Sequence, residues 1–291
     1  MRIISILIIL FSLTCAIQAQ SVQESIAKKA CNCLASVVTL SELEDSLQNC
    51  ITNAMADQLS DGSFDENKAL TTVEGIQGTY KSIREILLSI CFNVRKLIVE
   101  EKKKKHYKIS ADSLAREHYL RGNDFMEAGD YKNSTKEFQM AVKLDPGFVY
   151  AIDHLAISYR RQDDFKKAIK YYKQSLDVFP EGDLALLNIA VAYSFLEDYD
   201  HSLDFYSKLI FLYQDDPEGY FGAGKVYFLK SDYEKALDNL FTAHRMYLNT
   251  NSEYSKDSEK LISLVYSAMK KQNKLDLFET KSKEYNIQMK E

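Results

Sequence analysis

The chain has 291 residues, 46% of them apolar, with ten glycines, three prolines and no tryptophan. That is enough apolar chain for a substantial core and too few turn-forming residues for an all-β fold, so an all-helical fold is expected, its interhelical gaps filled by 19 Tyr and 15 Phe. A formal net charge of −5 excludes whole-molecule attraction to phosphate backbones, and no nucleic-acid partner is expected.

The first 19 residues have the three parts of a secretory signal: Arg2, an apolar stretch from Ile3 to Phe11, and a small-residue end at Ile17-Gln18-Ala19. Cleavage leaves Gln20 first. A membrane anchor needs about 20 apolar residues, and this run breaks at Ser12, Thr14 and Gln18. A lipoprotein signal would lipidate Cys15, but Thr14 is large for the preceding position and Ser12 stands where Leu is preferred. No later run is long enough to span a bilayer, so the mature chain, with 36 basic and 42 acidic residues, is expected outside the cytoplasm, periplasmic or extracellular.

Residues 20–109 form a cysteine-containing helical unit. Ser21 with Glu24 and Ser41 with Glu44 have capping-box spacing and predict two helix starts. Ser60-Asp61-Gly62-Ser63 reads as a loop, and a third helix is expected from Thr79 through Leu97, continuing into Lys102–Lys105. Glu100 and Glu101 stand four residues before Lys104 and Lys105, which predicts a solvated linker helix. Cys31, Cys33, Cys50 and Cys91 are an even set in an exported unit, so two disulfides are expected out of three pairings. Cys31 and Cys33 do not easily pair with each other, because a two-residue helical step turns them to nearly opposite faces. A zinc site is the alternative, but one, sixteen and forty intervening residues lack paired C-x2-C knuckles. Cys31-Asn32-Cys33 also departs from the C-x-x-C of redox exchange. Asp61, Ser63, Asp65 and Asn67 space oxygens as a calcium loop does, yet Glu66 replaces the required Gly and Thr72 the bidentate Glu, so a polar turn is expected.

From Ala115 a period of 34 residues recurs four times without a gap: 115–148, 149–182, 183–216 and 217–250. The eighth positions are Gly122, Ala156, Ala190 and Gly224, and the eleventh are Phe125, Tyr159, Tyr193 and Tyr227. Positions 16 and 17 read Asp130-Tyr131, Asp164-Phe165, Asp198-Tyr199 and Asp232-Tyr233. Position 20 is small throughout, as Ser134, Ala168, Ser202 and Ala236, and position 24 carries Phe138, Tyr172, Tyr206 and Leu240. Small residues let two helices approach, the large ones fill the space beside them, and each Asp caps the second helix. Pro146 and Pro180 end the first two units.

This register resembles the tetratricopeptide-repeat family. The resemblance implies a right-handed α-solenoid of stacked helix-turn-helix repeats over residues 110–250, with the degenerate segments of 251–291, split near Gln272-Asn273, as a capping hairpin. Departures are the absent Trp or Leu at the fourth position of several units, Leu209 at a small site, and Gln214 and Leu248 in place of Pro.

The resemblance also implies a concave face lined by positions 2, 5, 9, 12 and 13 of each first helix. In the first two units this gives Tyr119, Asn123, Tyr150, Ile157 and Arg160, a mixed and polar set with Arg116, Met126, Glu127, Asp153 and Arg161. In the last two it gives Leu184, Leu187, Val191, Phe195, Phe221, Lys225 and Phe228, an apolar set with Ser194, Glu218 and Leu229. An apolar or amphipathic protein segment is the expected ligand. The chaperone-carboxylate clamp of some relatives is absent, since only Asn123 among Tyr119, Asn123, His154, Leu184 and Asn188 matches it. His106, His118, His154, His201 and His244 show no metal spacing, and Ser25/Lys28 and Ser267/Lys270 match S-x-x-K without supporting motifs. The expectation is a non-enzymatic scaffold without metal or cofactor, with a protein or peptide partner and self-association open. An unrecognised redox, metal-binding or enzymatic activity of the cysteine unit is the alternative.

Overall fold

The computed structural model describes residues 22–60 and 72–287. The signal segment, Cys15, Ser21 and the Asp61–Asn67 spacing lie outside the described residues. Among the described residues every regular element is a helix, and the chain divides into two compact units, Met1–Glu101 and Lys102–Glu291.

In the first unit residues 22–33 are helical (α1), followed by a 3-10 turn at Leu34–Ser36, α2 (Leu40–Ser60), α3 (Val73–Ile90) and α4 (Phe92–His106). Residues of α4 from Lys102 onward belong to the second unit. Leu43, Leu47, Cys50, Ile51, Ala54 and Met55 recur at helical spacing on α2. They pack with Ile26, Ala30 and Leu34 and with Ile83, Leu87 and Val94.

Two local expectations are corrected. The capping box of α2 uses Thr39 and Glu42, not Ser41 and Glu44: the Glu42 amide donates to Thr39 Oγ1 at 3.2 Å, and the Val38 amide to Glu42 Oε2 at 3.1 Å. The helix expected over Thr79–Leu97 is two helices, broken at Cys91, whose backbone is extended. Two contacts hold the break. Cys91 is bonded to Cys31, and the Arg95 guanidinium, 4% exposed, donates to the carbonyls of Leu88 and Ser89 at 2.9 and 3.1 Å. Those are carbonyls that the end of α3 leaves without helical donors. Cys33 is bonded to Cys50, so the two disulfides tie α1 to α2 and to the break between α3 and α4.

The second unit holds α5 (Ser113–Glu127), α6 (Tyr131–Leu144), α7 (Val149–Arg161), α8 (Phe165–Val178), α9 (Asp183–Phe195), α10 (Tyr199–Leu212), α11 (Pro217–Leu229), α12 (Tyr233–Asn249), α13 (Ser255–Lys271) and α14 (Leu275–Glu284). The starts of α6, α8, α10 and α12 fall 34 residues apart, as do those of α7, α9 and α11. Each helix from α5 to α13 packs on the next, forming a stack of helix pairs. Asp130, Asp164, Asp198 and Asp232 cap the second helices, each accepting from the amide three residues on at 3.1 to 3.4 Å. Phe138 lies directly over Gly122, where an added Cβ would sit 2.5 Å from the ring. α6 and α8 stop just before Pro146 and Pro180, whereas α12 runs through Leu248 to Asn249.

The last pair leaves the 34-residue register. A step from Tyr233 points to Ser267, but α14 begins at Leu275. Ile262, Val265, Met269 and Phe278 of this hairpin cover Tyr233, Leu237, Leu240 and Phe241 of α12.

Candidate functional site

At both ends of the face made by the first helices of the repeats, expected groove residues pack against neighbouring helices. At the C-terminal end Phe221 and Phe228 of α11 pack into the cluster of α12, α13 and α14, and Phe221 meets Tyr247 edge-on at 6.2 Å. Both are half-buried, packed on one side by the hairpin. At the other end Tyr119 is core: 7% exposed, it packs against Phe148 at 4.8 Å and is stacked on His154 at 5.4 Å. Asn123 turns inward beside it, with its Oδ1 2.9 Å from His154 Nδ1. Burial pushes the His154 imidazole down to about 4, which keeps it neutral.

Over the second repeat lies residues 102–110, a segment expected to be solvated linker. Lys102 Nζ is 2.7 Å from Glu181 Oε1, and Lys103 pairs with Asp183. His106 stacks on Phe179 at 5.2 Å. Tyr107 is edge-on to Tyr150 at 5.0 Å and to Phe179 at 5.6 Å, and its hydroxyl donates to Asp153 Oδ2 at 2.7 Å. Ser110 donates to Asp145, and Arg116 to the Ser110 carbonyl at 2.8 Å. Asp153 has no solvent exposure; burial first, and the like charge of Asp183, raise its carboxyl to about 6 against the lowering effect of the Ser175 and Tyr107 hydroxyls. Composition signalled none of this, because a lysine run reads as solvated whatever acidic groups the fold brings to it.

What stays accessible is central. Ile157, Arg160, Leu184, Leu187 and Val191 are half-buried and Lys225 is exposed. Phe195 is 60% exposed yet held, its ring stacked on Phe165 at 4.9 Å. Leu229, the equivalent residue of the next repeat, is 48% exposed. These residues place apolar side chains and the cations Arg160 and Lys225 on the first helices of the second to fourth repeats. No group of acidic, His and Cys residues suited to a metal occurs among the described residues.

Residues 148–215 match the tetratricopeptide repeat family. No curated protein matches the chain. Among solved structures, a protein described as a MamA RS-1 ArsTM double mutant is 12% identical, covering 61% of this chain and 97% of its own, with a TM-score of 0.50. MamA from Desulfovibrio magneticus RS-1, residues 41 to the end, is 12% identical over 56% of this chain and 99% of its own, with a TM-score of 0.44. A tetratricopeptide repeat protein from Parabacteroides merdae is 18% identical over 60% and 77%, with a TM-score of 0.42. Such proteins are generally non-enzymatic interaction scaffolds. The match lies inside a gapless stack of capped helix pairs, and the second unit of this chain is an α-solenoid with the fold of tetratricopeptide-repeat proteins.

Proposed function

We propose that the chain is an exported scaffold that holds an apolar or amphipathic segment of another protein against the central first helices, α7, α9 and α11. The observation that carries this reading is Phe195, a large aromatic fixed by Phe165 while most of its surface faces water. Exposed, pre-ordered aromatics are the anchors that dominate binding energy, since little side-chain freedom is lost on docking. Leu184, Leu187, Val191 and Leu229 supply the apolar floor, and Arg160 and Lys225 the cationic rim. Two disulfides, together with the signal-like first 19 residues, support an oxidising compartment outside the cytoplasm. No described helix is long and apolar enough to cross a membrane.

The test changes Phe195 and Leu229 together to Ser in the full chain and measures thermal stability and capture of proteins from the native compartment. Capture should fall while stability holds. Unchanged capture by a stable variant would remove these residues from the site.

A further inference from the structure

The second repeat carries an occupant supplied by the chain. Tyr150 and Asp153 stand at positions 2 and 5 of that repeat, where the third repeat has the half-buried Leu184 and Leu187. Tyr107 covers the first pair with its ring and hydroxyl, while Lys102 and Lys103 anchor the same segment at the junction of the second and third repeats. The mode of attachment is that of a docked ligand rather than a core seam. Its ion pairs are partly exposed and individually weak. Its buried polar contacts are that of Ser110 with Asp145 and that of Tyr107 with Asp153, whose surroundings also include the Ser175 and Tyr172 hydroxyls of α8 and the Asp183 carboxylate of α9. Burial beside Asp183 holds Asp153 up to about 6, so at neutral pH its ionised form gains when the cover lifts and water enters.

We propose that Lys102–Ser110 is an internal ligand of the repeat array, a latch that closes reversibly over the second-repeat end of the concave face and is displaced when a partner segment extends along it. The displacement half rests on the groove reading; the latch stands without it. Opened, the site formed by Tyr150, Asp153, Phe179, Glu181 and Asp183 fits a basic helix end carrying an aromatic one turn later, the Lys103–Tyr107 spacing.

The experiment is amide hydrogen exchange at neutral pH on the full chain and its Tyr107→Ala and Tyr107→Phe variants, with and without an added peptide of residues 99–110. Tyr107→Ala should speed exchange at 102–110 and in the first turn of α7 by roughly tenfold or more, leaving α9 to α12 unchanged. Tyr107→Phe, which keeps the ring, should have a smaller effect. The added peptide should restore protection of α7 in Tyr107→Ala and do nothing to the wild type. Unchanged exchange, acceleration spread through the whole stack, or a peptide that fails to protect α7 would each overturn the latch. Displacement further requires Tyr107→Ala to capture the partner several-fold better than wild type. Equal capture overturns that half, whereas only loss of capture in the Phe195 variant bears on the groove.

Discussion

At the scale of single residues, the informative contrast is between the four capping aspartates and Asp153. The caps act within one turn, so an Asp before a helix-forming run discloses its role locally. Asp164→Ala should lower stability by about 1 kcal/mol, read as a shift of the thermal midpoint. Hydrogen bonding to Lys167 holds the Asp164 carboxyl below its usual value, so its contribution is present above the unfolded value and fades as pH falls through the folded one. Asp153 behaves oppositely. Its folded value, about 6, lies above the ordinary 3.8, so ionisation destabilises the fold above that pH and the cost vanishes below the ordinary value. Asp153→Asn keeps an acceptor for Tyr107 and removes the charge. It should be more stable than wild type at pH 8, by up to about 3 kcal/mol, and the difference should close as pH falls from 6 to 4. Melting curves across that range check it, and an undiminished difference at pH 4 contradicts it. The sequence could not disclose this, because the hydroxyls around Asp153 come from distant positions, that of Tyr107 from 46 residues away.

At the scale of elements, the repeat helices were legible because one period recurs without a gap and each copy restates the same contacts. Gly222 lies outside that signature. An added Cβ there would stand 2.2 Å from the Tyr206 ring, so Gly222→Ala should cost about 1–3 kcal/mol by overpacking. Tyr206→Leu, which copies Leu240 at the same repeat position, should recover part of the loss. A Gly222→Ala protein with an unchanged midpoint would mean that α10 and α11 do not meet in this way. The first unit was read less well for identifiable reasons. Thr39/Glu42 and Ser41/Glu44 are overlapping capping boxes, and spacing alone does not choose between them. Cys91 interrupts no hydrophobic pattern, so the break between α3 and α4 is visible only through the Cys31 bond and the Arg95 contacts to Leu88 and Ser89.

At the scale of the molecule, the two units are held by different means. All four cysteines of residues 20–291 lie in the first unit, while the solenoid relies on stacked cores such as that of Phe138, Ile152, Leu155 and Tyr172. Reduction should therefore destabilise residues 22–101 selectively, by about 2–5 kcal/mol per bridge lost from so small a unit. Hydrogen exchange should show α2 and α3 losing protection under reductant while α7 to α12 keep theirs; equal loss in both units would contradict this division. The concave face was legible only in part. Family positions marked all twelve candidate residues, but Tyr119 went into the core, Phe221 and Phe228 partly under the hairpin, and Tyr150 under Tyr107, since position within a repeat says nothing of what the flanking chain covers. The central claim is that partners dock where Phe195 and Lys225 remain accessible. Photocrosslinking amino acids placed at Phe195, at Lys225 and, as a control, at Leu264, which is 59% exposed on α13, test it most directly in the protein's own compartment. The same partner should crosslink from Phe195 and Lys225 and not from Leu264. Crosslinks from Leu264 with none from Phe195 or Lys225 would place the binding surface elsewhere.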